Sequence, residues 1–268
     1  MAAGAYFQGS TSTWVRYSDY EFRQINTGTT FVSPSVNAIP EVYDPLLDVD
    51  AMVTAAINAG MLCINRESDE KIRKAVSDFV ARYGLVGLIS AKQAEPRPSD
   101  NISFFPFDNH IPDAVVLPSI HEGTPETVKL GFSRNYAERY DWLVKFFREL
   151  AYSFCSYLLY YGEYGEIDSD ARAMCARGVN GIFGEATIPQ CHIELKEKPI
   201  LVWDFCSLSQ ALCMALGLMM ADESQPLRAC RFCGKIFLAG HPLAAFCDPK
   251  CKNKYNVYKS RDKKAGKE

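Results

Sequence analysis

Four cysteines near the C-terminal end carry the most specific chemistry in the chain. Their spacing is Cys230-x-x-Cys233, then thirteen residues, then Cys247-x-x-x-Cys251. Two pincers of soft thiolates, each a few residues wide, are the donor set a tetrahedral zinc ion takes. The first pincer reads Cys230-Arg231-Phe232-Cys233-Gly234-Lys235. A glycine directly after its second cysteine permits the tight turn that aims backbone N–H groups at sulfur. In the second pincer, Asp248 suits a helix N-cap and Pro249 the first helical position. Cys247 then sits at the helix start, and Cys251 one turn further on the same side. The positive end of the helix favours their thiolate forms. The set predicts a closed, structural Zn2+ site on Cys230, Cys233, Cys247 and Cys251. Four unrelated thiols are the alternative. His241 lies between the pincers and could replace one cysteine, although a spare loop histidine is the simpler reading.

The helix continues from Lys252 to Arg261. Cys251, Tyr255 and Tyr258 share the face that should pack on the finger. Lys250, Lys252, Lys254, Lys259 and Arg261 surround it on the solvent side. Asn253 and Asn256 add amides able to pair with bases or phosphates. These seven side chains are candidate contacts to DNA or RNA. Charge is distributed accordingly. Residues 228–268 hold eleven Lys/Arg against three Asp/Glu, leaving 18 basic and 29 acidic residues elsewhere in a chain of net charge -3. A basic end beside an acidic body fits an anionic partner. It also fits an ordinary solvated helix lying on the protein's own acidic body, since charge alone is not specific.

The run Cys-x-x-Cys-Gly-Lys-x-Phe, followed by Phe-Cys-x-x-x-Cys-Lys-Asn-Lys and a terminal Arg, resembles the CGNR-type zinc finger family. In that family a treble-clef-like finger follows a larger α/β domain in bacterial proteins taken to regulate transcription. Cys251-Lys252-Asn253-Lys254 stands where the family has Cys-Gly-Asn-Arg. The cysteine and asparagine match, and lysines replace the glycine and arginine. Charge is kept at Lys254, but a bidentate arginine contact is lost. The match is confined to about the last 40 of the 268 residues. The resemblance implies a DNA-binding or transcription-regulatory role, with the finger as contact element and the body as a sensor or dimerisation domain. A homodimer is therefore among the expected partners.

Upstream elements must position this site. Trp14–Tyr17 and 29–32 read as short strands. Residues 46–62 read as a helix ended near Gly60. Residues 68–83 carry Ile72, Val76, Phe79, Val80 and Tyr83 at helical spacing, with Gly84 as a stop. Residues 91–128 hold six prolines and no sustained period, so a long irregular connection is expected. Residues 136–161 form the longest periodic stretch, with Trp142, Leu143, Phe146, Phe147, Leu150, Phe154, Leu158 and Tyr161 on one broad stripe, which predicts a core helix. Residues 187–195 and 200–203 read as strands. Residues 207–222 read as an apolar helix capped by a Ser or Asp near Asp204. The whole predicts an α+β fold: a mostly helical body over 1–225, a finger over 226–262, and a basic disordered tail over 263–268.

Of the ten cysteines, the other six (Cys63, Cys155, Cys175, Cys191, Cys206, Cys213) are scattered, mostly in apolar helical patterns, and are read as buried thiols. No segment combines a charged start, an apolar centre and a cleavage site, and the apolar run 208–220 is too short for a bilayer. A reducing cytoplasm and no membrane are the resulting expectations. Enzyme motifs are sparse. No Gly-rich phosphate loop, nucleophile elbow or H-E-x-x-H is present. His192-Ile193-Glu194 with Cys230-x-x-Cys233 imitates a zinc deaminase, in which His and two Cys hold the metal and Glu moves protons. Ala229 stands where proline is expected, and four sulfurs leave no open position for water. A non-enzymatic role is therefore expected, with a zinc-stabilised protein-interaction module as the main rival to nucleic-acid binding.

Overall fold

The computed structural model describes residues 9–10, 14–24, 28–87, 134, 136–161, 165–185, 189–205, 207–222, 227–241 and 243–264. The Pro-rich segment 91–128, Cys206 and the last four residues lie outside the described residues. The β-forming residues near the start do not make one sheet. Strand β2 (Trp14–Tyr17) pairs antiparallel with β5 (Pro40–Tyr43). Strands β3 (Tyr20–Gln24), β4 (Thr30–Pro34) and β6 (Glu138–Arg139) form an antiparallel sheet with β4 in the middle. A third sheet has β8 (Pro199–Asp204) between a two-residue parallel strand, β1 (Gly9–Ser10), and an antiparallel neighbour, β7 (Gln190–Leu195). The last pair is the hairpin β9 (Leu227–Ala229) and β10 (Ile236–Leu238).

Helices α1 (Val49–Ile64) and α2 (Asp69–Tyr83) follow β5, and α3 (Tyr140–Tyr160), α4 (Ser169–Glu185), α5 (Leu208–Ala221) and α6 (Pro249–Lys264) come later. Helix α2 starts after Ser68 and stops at Gly84, whose φ of 81° is costly for any residue with a Cβ. The expected core helix is α3. Its apolar stripe is buried at Leu143, Phe146, Phe147, Leu150, Phe154 and Leu158, while Tyr161 is exposed. Helix α5 is capped by a serine, as expected: the Ser207 hydroxyl accepts from the Gln210 N–H at 3.2 Å. Helix α6 runs to Lys264, two residues past the expected end of the finger.

Gly60 does not end α1. The helix continues to Ile64, and Gly60 is instead the place where α1 meets α3. A Cβ there would lie 1.9 Å from the Phe147 carbonyl oxygen and 2.7 Å from the Ala151 Cβ. The run Pro45–Ile64 is long and apolar enough to cross a bilayer on length and composition. Its helix spends that apolarity inside the fold, where Val49, Met52, Val53, Ala56, Ile57 and Ala59 are buried.

Glu138 ties the ends of the Pro-rich connection together. Its buried carboxylate accepts from the backbone N–H groups of Val86 (2.9 Å) and Gly87 (2.5 Å), and from the Tyr136 hydroxyl. Charge-assisted bonds of this kind offset the cost of burying a carboxylate. Among the scattered cysteines, Cys213 is buried, and burial pushes its thiol up to about 12. Burial also raises Cys63 and Cys155. Cys191 departs from the expectation: it is exposed on β7.

Candidate metal centre

The hairpin β9–β10 brings the first pincer to a point. Ile236 lies across from Ala229, and Leu238 across from Leu227. Immediately beyond β9, the Cys230 N–H donates to the Lys235 carbonyl at 2.9 Å. The Gly234 N–H returns to the Cys230 carbonyl at 2.9 Å. Gly234 has φ 72°, so the glycine after the second cysteine serves the turn expected of it. The Arg231 N–H donates to the Ala245 carbonyl at 3.0 Å and joins this turn to the chain entering the second pincer. There the Asp248 carboxylate accepts from the Lys250 N–H at 2.5 Å, and its carbonyl accepts from the Cys251 N–H at 3.0 Å. Asp248 is thus the N-cap of α6, with Pro249 as its first residue.

The four sulfurs lie within 4.8 Å of one another. Cys233 and Cys247 are 3.6 Å apart, Cys247 and Cys251 3.7 Å, and Cys251 and Cys233 3.8 Å. These separations are far beyond a disulfide bond of about 2.05 Å. A tetrahedron with metal–sulfur arms of about 2.3 Å has edges of about 3.8 Å. Cys233, Cys247 and Cys251 therefore have the mutual spacing of ligands in a four-coordinate site, and with Cys230 the group could hold a metal ion such as zinc.

The electrostatics agree with that role. Burial opposes ionisation of Cys230. The N–H groups of Cys233, Cys247 and Phe232 bond its sulfur and outweigh burial, bringing the thiol down to about 6. The Cys247 thiol is pushed up, first by burial and then by the neighbouring sulfurs. A thiolate at Cys230 makes ionisation of Cys247 harder, and a cation at the centre would remove that resistance.

The centre is seated on the body. The Asn58 side chain on α1 accepts from the Ile236 N–H at 2.9 Å and donates to the Ile236 carbonyl at 2.9 Å. Leu227 and Ile236 are buried in the same hydrophobic cluster as α1, α3 and α5, so the core does not stop at residue 225. Asn58 did not stand out in the sequence. Its one signal is being an amide in an otherwise Ala- and Met-rich apolar helix. Asn58→Ala would leave both Ile236 groups without this partner. The expected loss is about 1–3 kcal/mol in urea unfolding of the metal-loaded protein. An unchanged midpoint would show that the amide pair does not hold the hairpin.

No known protein family, curated protein or solved structure matches the chain. The site's meaning therefore rests on its own residues. His192 and Glu194 are on β7 and do not join the cysteine group, which closes without them. His241 is exposed, and its Nδ1 accepts from the Leu243 N–H at 3.1 Å, so it too is outside the cluster. Lys250, Lys252, Asn253, Lys254, Asn256, Lys259 and Arg261 are all exposed on α6. Among the described residues, none of the five cations forms an ion pair, and the Lys254 ammonium lies 6.0 Å from the Phe232 ring centroid. The opposite side of α6 packs on the finger through Tyr255, 5.2 Å from Phe246, and Tyr258, stacked at 5.9 Å on Phe232.

Proposed function

We propose that Cys230, Cys233, Cys247 and Cys251 hold a structural zinc ion in a treble-clef-like finger. On this reading the exposed face of α6 binds DNA or RNA, in a cytoplasmic bacterial protein that regulates transcription. The zinc assignment is supported by the all-sulfur donor set, by separations of 3.6–3.8 Å among Cys233, Cys247 and Cys251, and by Cys230 lying within 4.8 Å of them. The residues do what such an ion needs: two come from a hairpin turn, two from a helix start, and backbone N–H groups carry part of the excess negative charge. When bound, the ion would cross-link the two pincers, and a closed set of four sulfurs gives it no substrate position.

The nucleic-acid reading rests on one observation above others. The five basic side chains of α6 are exposed and unpaired among the described residues, although the rest of the chain is acidic. Attraction to the protein's own body would have placed some of them in ion pairs. A shallow recess of about 300 Å3, lined by Asn256, Val257, Ser260 and Arg261, adds an amide, a hydroxyl and a guanidinium on the same surface. The resemblance to CGNR-type fingers points the same way.

The test is unbiased selection of DNA and RNA sequences with zinc-loaded protein, followed by salt titration. Neutralising Lys250, Lys254 and Lys259 to Gln is expected to lower the salt slope by about 1 per lysine. It should also weaken binding across sequences. A second reading is a protein-docking platform, favoured by the exposure of Val257 on the same helix and by the part of the Tyr258 ring that its stacking on Phe232 leaves open. Absent nucleic-acid affinity, or affinity indifferent to the three substitutions, would favour that reading.

A further inference from the structure

We propose that the outer edge of β7 is a self-association surface, where a second copy of this chain lays its own β7 antiparallel, with Ile193 on the two-fold axis. Strand β7 is the edge of its sheet, and its outer side pairs with no strand among the described residues. An edge of that kind presents a row of backbone N–H and C=O groups as a template for another strand. Proteins usually blunt such edges with lysine, proline or a bulge. The six residues of β7, Gln-Cys-His-Ile-Glu-Leu, contain no lysine or proline.

On one face of this sheet the β7 side is apolar and exposed, whereas Trp203 on β8 packs against the core. Strand alternation places Cys191, Ile193 and Leu195 on the same face. Their register partners on β8 are Trp203, Leu201 and Pro199. Ile193 is 59% exposed and Leu195 81% exposed. Apolar side chains left open along an unpaired sheet edge mark a contact surface.

The pattern of β7 selects a second copy as the occupant. In an antiparallel pair related by a two-fold axis, residues equally distant from the axis face each other. Centring on Ile193 sets Ile193 across from itself and Leu195 across from Cys191. On the other face it sets each Glu194 carboxylate across from an imidazole of His192, which can donate to it. Moving the centre to Glu194 sets two carboxylates opposite each other and His192 opposite Lys196. Moving it to His192 sets Leu195 opposite Pro189 and leaves Glu194 opposite Gln190. A centre between two residues sets apolar side chains against polar ones, because side chains alternate with period two. The register on Ile193 is the one that satisfies both faces. It would join two three-stranded sheets into a continuous six-stranded one with a shared apolar face. This inference stands apart from the nucleic-acid reading, since β7 is not part of the finger.

The experiment is sedimentation velocity of the full metal-loaded chain in reducing buffer at micromolar concentrations. A concentration-dependent dimer is expected. Ile193→Lys, which places two ammonium groups across the axis, should raise its dissociation constant by at least about tenfold. Glu194→Lys should weaken the dimer, and adding His192→Glu to it should restore affinity by exchanging the two sides of the pair. A Cys191→Ser/Ile193→Cys double variant should form an intermolecular disulfide on mild oxidation. Directly opposed strand residues have Cα atoms about 4.5–5.5 Å apart, within disulfide range. The same change at Glu197, in the hairpin turn, should cross-link poorly. A monomer at all concentrations would overturn the proposal, as would a dimer that is indifferent to Ile193→Lys and does not cross-link.

Discussion

Stripping the metal with a strong chelator is expected to melt α6 while leaving the helices of the body intact. The reason lies in how little else holds α6. It is a 16-residue helix, rich in lysine, and apart from Cys251 and Tyr255 its described side chains are exposed. Isolated helices of about 12–15 residues are marginal in water even for favourable sequences. Its anchors are the sulfurs of Cys247 and Cys251 at its start, the Tyr255 ring tilted against Phe246, and the Tyr258 ring stacked on Phe232. Structural zinc in finger peptides contributes about 10–16 kcal/mol of binding free energy, which there appears as folding free energy. The hairpin should respond less, because Leu227 and Ile236 are buried against α1 and Asn58 bonds the backbone of Ile236. Hydrogen exchange should therefore show α6 losing protection, α1 and α3 keeping it, and β10 falling between them. Far-UV circular dichroism should lose helix signal corresponding to α6 and regain it on adding zinc. Full protection of α6 in protein verified as metal-free would mean that packing, not the metal, holds it.

Gly60→Ala is expected to be among the most damaging single substitutions in the body. A helix interior ordinarily gains about 1 kcal/mol when alanine replaces glycine. Here the added methyl would sit 1.9 Å from the Phe147 carbonyl oxygen, which belongs to the backbone of α3 and has no rotamer to escape into. The two helices must move apart, and the buried contacts along them loosen together. Overpacking typically costs about 1–3 kcal/mol, and a clash with backbone belongs at or above the top of that range. A net loss of about 3 kcal/mol should appear in urea unfolding. Gly181→Ala on α4 is the internal control, because a Cβ there meets nothing within 4 Å. It should leave stability unchanged or raise it by up to about 1 kcal/mol. Equal effects at the two sites would contradict the close crossing of α1 and α3.

These two cases also show which parts of the molecule a sequence can disclose. The finger is built from local chemistry. Each pincer spans at most five residues, the turn glycine follows its cysteine directly, and the cap and first-turn proline adjoin the second pincer. Spacing alone therefore points to the site, including the turn after Cys233 and the helix start at Pro249. Its seat is not local. Asn58 and Ile236 are 178 positions apart, and nothing near either residue announces the other. Gly60 misleads for the same reason: glycine punctuates helices in sequence, whereas here it serves a close approach that only the partner helix explains. Helix α4 passed unseen because it has little periodicity to display. Most of its described positions are exposed or half-buried, and Gly178 and Gly181 interrupt its pattern. The strong stripes of α2 and α3, by contrast, placed both helices to within a few residues.

X-ray absorption at the zinc edge of the freshly purified protein tests the central claim most directly. The account predicts one zinc ion per chain, with four sulfur neighbours at about 2.3 Å and no nitrogen or oxygen in the first shell. It also predicts that Cys230, Cys233, Cys247 and Cys251 stay protected from a thiol reagent until the metal is removed. Protein containing no zinc, with those four thiols freely reactive, would contradict it. So would a shell of three sulfurs completed by nitrogen or water, because an open or mixed site would restore the catalytic possibilities that four closed sulfurs exclude.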